Sequence, residues 1–85
     1  MTVYLAWTGA PLPEDLPGPW EEVRVLTDDL ALVASRDTLS RVYHELKWSL
    51  PDGTALLVTP VDRTPKLKGM PAGTQSWLRA RVPPG

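Results

Sequence analysis

From Ser35 to Val61 the chain reads SRDTLSRVYHELKWSLPDGTALLVTPV, and this run constrains the fold more than any other. Leu39, Val42, Tyr43, Leu46 and Leu50 recur at i, i+3, i+4, i+7 and i+11, which draws one apolar stripe at the period of an α-helix. The spacing predicts a helix from about Asp37 to Leu50 with one face laid on a sheet. Ser35 or Asp37 can cap its N-terminus by accepting orphan backbone N–H groups. Pro51 followed by Asp52-Gly53 cannot continue a helix and predicts a turn. Thr54 to Thr59 is then a short apolar run, read as a strand covered on at least one face. Pro60 donates nothing to a ladder, so the strand ends there or lies at a sheet edge.

The remaining segments supply what that helix needs to cover. Thr2 to Trp7 is apolar on both faces, with Val3, Leu5 and Trp7 on one side and Tyr4 and Ala6 on the other, as a central strand requires. Pro11, Pro13, Pro17 and Pro19 follow at intervals too short for a helix to survive, so this stretch is an extended connection, with Leu12, Leu16 and Trp20 as its anchors. A polyproline ligand would also suit it, but lacks the basic flank such ligands use. Glu21 to Leu26 alternates, placing Val23 and Val25 inward and Glu22 and Arg24 outward on an edge strand, and the charges guard that edge against unwanted pairing. Leu30 to Ala34 is an interior strand joined to it by the turn Thr27-Asp28-Asp29. After a basic loop from Asp62 to Gly73, Thr74 to Val82 reads as a short helix capped by Thr74, with Trp77, Leu78 and Val82 as its apolar face and Pro83-Pro84-Gly85 as its stop.

This order is a βαββαβ plan whose first helix is reduced to a Pro-rich loop. Right-handed crossovers then predict an α+β, ferredoxin-like domain spanning 1–85. Its four-stranded antiparallel sheet has spatial order 4-1-3-2, covered by one main helix and followed by a short C-terminal helix.

Composition narrows the chemistry. With 85 residues the chain makes one small domain, so stability is tight and pairing with a second copy would help. There is no cysteine and one histidine, His44, which leaves no disulfide and no thiolate zinc site, and a zinc site would have to rest mostly on carboxylates. No apolar stretch approaches a membrane span, and a cytoplasmic location is expected. Asparagine, isoleucine and phenylalanine are also absent while proline reaches ten, a pattern that fits a GC-rich, thermophilic source. Charge is uneven: Met1 to Pro60 carries four Lys/Arg against nine Asp/Glu, and Val61 to Gly85 five against one. Such asymmetry suits self-association or an anionic partner, and equally two solvated ends.

The chain resembles the SinR-like branch of the small CRISPR-associated endonuclease superfamily. The resemblance lies in the opening VYLAW, in LALVASRDTLSRVYHELKWSLPDGTALLVTPV and in the terminal GMPAGTQSWLRARV, where Gly69, Ser76, Trp77 and Leu78 match a glycine followed by a Ser-x-Trp-Leu-like helix. It implies a compact ferredoxin-like domain that pairs as a homodimer. Members thought to cut nucleic acid place an aspartate at the end of the first strand to hold a divalent metal across the dimer axis. Ala6, Trp7 and Thr8 stand there in this chain, and an indole is no ligand for Mg²⁺. The family's metal-dependent cleavage is therefore not expected.

No phosphate loop, nucleophile elbow or metal-spaced pair occurs, so no catalytic residue, metal ligand, cofactor or small-molecule substrate is assigned. His44 lacks a carboxylate aimed at it and reads as a surface histidine. Asp28-Asp29 and Glu21-Glu22 are too few oxygens for a cation site. The one patch that suits nucleic acid, or another partner, is Arg63, Lys66, Lys68, Arg79 and Arg81, with Trp77 for stacking, though a solvated tail with Trp77 buried explains the same residues. The sequence thus predicts a non-catalytic, dimerising interaction module. The alternatives are a nucleic-acid-binding protein or residual metal-dependent RNase, and a module responsive to a metal or small ligand.

Overall fold

The computed structural model describes residues 1–13 and 15–85, and residue 14 of the Pro-rich connection lies outside them. Among the described residues four strands and two helices run in the order β1 (Thr2–Thr8), β2 (Glu22–Thr27), β3 (Leu30–Ser35), α1 (Leu39–Ser49), β4 (Leu56–Pro60) and α2 (Thr74–Arg79). The sheet is antiparallel, in the order β2-β3-β1-β4. Read from the β4 edge this is the expected 4-1-3-2. β1 and β3 take the centre because they are apolar on both faces, and Val3, Tyr4, Ala6 and Ala31 to Ala34 are all buried.

Pleating sends alternate residues of these strands to two separate cores. On one face α1 lays Val42 and Leu46 over Tyr4, Ala6 and Val33, with Leu12, Trp20, Val23, Leu56 and Val58 around them. On the other face Leu78 and Val82 pack on Val3, Leu26, Leu32 and Ala34, joined by Val61, Leu67, Met70 and Trp77. The sheet is thus roofed on both sides. The sequence predicts one covering helix, but the segment after β4 forms a second layer because its apolar residues have the odd-numbered face of β1 to cover.

That second layer corrects the reading of β2. Glu22 and Arg24, though partly exposed, are engaged by that layer: Arg81 bonds the Glu22 carboxylate, and Arg24 donates Nη2 to the Ala72 carbonyl at 2.8 Å. Val25, expected inward, is 55 % exposed, because α1 does not extend over that end of the strand. Leu26 follows Glu22 and Arg24 onto the face of the second core, and a bulge shifts the register between Val25 and Thr27.

Helix α1 starts two residues later than expected. Its cap is Thr38, whose hydroxyl accepts from the Arg41 N–H at 3.2 Å. Ser35 is occupied elsewhere, donating to the Pro19 carbonyl at 2.5 Å and accepting from the Asp37 N–H at 3.0 Å, so it fastens the end of the Pro-rich connection to β3. Of the predicted stripe, Val42, Leu46 and Leu50 are buried, whereas Leu39 is 40 % exposed. In α2 the cap position belongs to Gly73 at φ 88°, and Thr74 instead donates to the Pro71 carbonyl at 2.7 Å. The helix closes at Arg79, and a turn carries the chain to Val82.

Candidate functional site

Three places could carry function: the basic C-terminal layer, the exit of β1 and the free edge of β4.

In the C-terminal layer the structure divides the five basic residues expected to act together. Lys66 and Arg79 line one groove of about 540 Å³ with Thr64, Gln75 and Val82. Its two walls are fastened by Thr64, whose N–H donates to the Pro83 carbonyl at 2.7 Å and whose hydroxyl donates to that carbonyl at 2.9 Å. Arg63 is exposed beside Gly85 at the rim. Lys68 lines the neighbouring depression, which shares Gln75. Arg81 is committed elsewhere. Its guanidinium clasps Glu22 through Nε at 2.6 Å and Nη2 at 2.8 Å, gives Nη1 to the Trp77 carbonyl at 2.8 Å and lies 4.2 Å over the Trp77 ring. One face of the indole is therefore covered by that cation. The hydrogen bonds from Arg81, reinforced by its charge against partial desolvation, hold the Glu22 carboxyl below its ordinary pKa.

At the exit of β1, Trp7 is 41 % exposed and Thr8 is buried. The Thr8 N–H donates to the Asp29 carbonyl at 2.9 Å, and its hydroxyl donates to the Ala10 carbonyl at 2.6 Å. The Asp29 carboxylate accepts from the Thr27 hydroxyl at 2.7 Å. Among the described residues no three of His, Asp or Glu come together in a way that could hold a metal ion. His44 is half-buried rather than free in solvent. Its Nδ1 donates to the Ser40 carbonyl at 2.7 Å, and its ring lies between Tyr43 at 5.2 Å and Trp48 at 5.7 Å.

The β4 edge is the feature sequence reasoning missed. Leu56 to Pro60 carries no charge, whereas the opposite edge, β2, holds Glu22 and Arg24 and a bulge. Ladder bonds from Gly9 N–H to Ala55 carbonyl and from Val61 N–H to Val3 carbonyl show which way β4 faces: odd-numbered residues bond to β1. The backbone groups of Leu56, Val58 and Pro60 therefore point outward. Pro60 sits where its missing N–H leaves no gap in the ladder to β1. On one face Leu57, 55 % exposed, lies beside Trp7, which in turn pairs with Leu30. On the other, Leu39 and Tyr43 of α1 form an apolar groove with Val58. The run ALLVTP, apolar and without a gatekeeping charge, was the available signal.

Among the described residues no helix is long and apolar enough to cross a membrane. Comparison with models of protein families, with curated proteins and with solved structures returned no match, so the functional reading rests on the geometry of the chain itself.

Proposed function

We propose that this chain is a non-catalytic interaction module of ferredoxin-like topology, its first crossover helix replaced by the Pro-rich connection, and that it associates with a second copy through the open edge of β4. The carrying observation is the contrast between the two edges. β2 has charges and a bulge, while β4 presents an uncharged ladder flanked by exposed Leu57 and Trp7 on one side and Leu39 on the other. Unpaired N–H and C=O groups bordered by apolar side chains favour strand addition. Both sheet faces are already occupied by the chain's own layers, which leaves lateral pairing as the route that displaces nothing. Kinship with the SinR-like branch, whose members pair as dimers, belongs to the same proposal. Light scattering at micromolar concentration tests it: a mass of twice the chain is expected, and reversion to monomer in Leu57→Lys. A wild-type protein that stays monomeric would end the reading.

A second reading, nucleic-acid binding, is favoured by the groove that gathers Lys66 and Arg79 with Arg63 at its rim. None of these three forms an ion pair among the described residues. It predicts a salt-sensitive gel shift with single-stranded RNA or DNA that is lost when all three become alanine. A shift that persists in that variant would remove the groove from consideration.

A further inference from the structure

We infer that the second copy docks by antiparallel β4-to-β4 pairing centred on Leu57, which makes one continuous eight-stranded sheet across a twofold axis; this rests on the self-association proposed above. A twofold axis pairs residues whose numbers sum to a constant, and the outward ladder groups belong to even-numbered positions. With Leu57 opposite its own copy, Leu56 meets Val58 of the other chain. The Leu56 N–H then donates to that Val58 carbonyl, the Val58 N–H returns a bond to the Leu56 carbonyl, and symmetry repeats both. Every outward N–H between Leu56 and Pro60 is satisfied, and the one missing donor, Pro60, falls outside the paired segment.

The side chains favour the same centre. Leu30, Trp7 and Leu57 already form one cross-strand row on the face that α2 leaves partly open. Placing Leu57 against its copy extends that row without interruption to the symmetric Trp7 and Leu30, so the exposed indole and leucine are covered together. Centring instead on Val58 sets Leu57 opposite a threonine and breaks the row. On the α1 face the two Leu39-Tyr43-Val58 grooves come to lie side by side about the axis. No residue from Leu56 to Pro60 is charged, so no like charges meet at the axis.

The absence of cysteine makes the register directly readable. Residues opposite each other at a pair that exchanges no hydrogen bonds have Cα atoms about 4.5 Å apart, within the range a disulfide spans. Leu57→Cys and Thr59→Cys are compared under mild oxidation, with light scattering on the reduced proteins. Both positions are exposed, so either variant should fold. The expected result is a dimer in which Leu57→Cys cross-links about tenfold faster or more than Thr59→Cys, because pairing raises the local thiol concentration well above the micromolar bulk. Dimers that cross-link faster at Thr59, or equally slowly at both, overturn the register and leave self-association standing. Monomers overturn both.

Discussion

Glu22 and Arg81, 59 positions apart, form a bidentate pair with contacts of 2.6 and 2.8 Å. The pair ties the β2 edge to the last turn of the chain and so holds the second roof against the sheet. Because that clasp lowers the pKa of Glu22, its contribution to stability is present above the pKa of an unfolded glutamate and is lost as pH falls through the lower, folded value. Acidification below about pH 4 should therefore destabilise the wild type more than Glu22→Gln. Urea midpoints measured from neutral pH down to pH 3 check this: parallel curves for the two proteins would contradict it. Arg81→Ala should lower the midpoint at neutral pH and also free one face of Trp77.

Gly73 holds φ at 88°, and a Cβ there would stand 3.2 Å from Nη2 of Arg24. Gly73→Ala should cost about 1 to 2 kcal/mol for the backbone conformation alone. Crowding of the Arg24 to Ala72 hydrogen bond adds to that. Gly53, at φ 80° with open space around it, supplies the control, since Gly53→Ala should show only the backbone part. Equal losses in denaturant titrations of the two variants would mean that the Arg24 contact contributes nothing.

Leu46 is fully buried under the sheet, whereas Leu39, on the same helix stripe, is 40 % exposed. Leu46→Ala should lower unfolding free energy by about 2 to 5 kcal/mol, and Leu39→Ala by about 0.5 kcal/mol or less in the dissociated chain. Titrations at submicromolar protein, read by tryptophan fluorescence, separate folding from association. The two variants then diverge in the other direction for dimer dissociation, where Leu39→Ala should weaken pairing.

Alanine at Lys66 and Arg79 should leave folding unchanged, as both side chains are exposed and free of ion pairs among the described residues. If the groove binds nucleic acid, each substitution should lower the slope of log affinity against log salt by about 0.7 to 0.9 for one lost phosphate contact. Fluorescence anisotropy with a labelled oligonucleotide between low and physiological salt measures that slope.

The sheet order and the seat of α1 were legible because they follow from local pattern: two strands apolar on both faces must lie at the centre, and Val42, Leu46 and Leu50 share a stripe. The cap was misplaced because Ser35, Asp37 and Thr38 are all competent, and only the fold shows that Ser35 is needed to hold Pro19. The polar side of β2 was misread for a related reason. Glu22 and Arg24 find their partners at Arg81 and Ala72, 59 and 48 positions away, and no local period encodes a layer supplied from that distance. Of the five candidate basic residues, Lys66 and Arg79 share a groove. Charge alone could not distinguish them from Arg81, whose i,i+4 relation to Trp77 was visible but whose acidic partner was not.

The inequality between the sheet's two borders has a further consequence. A chain with two sticky rims could add neighbours without end and grow into a fibre, whereas one defended rim leaves a single place for a newcomer. If that newcomer is identical and meets the first molecule symmetrically about Leu57, the sticky rim is consumed on both molecules at once and growth is self-limiting.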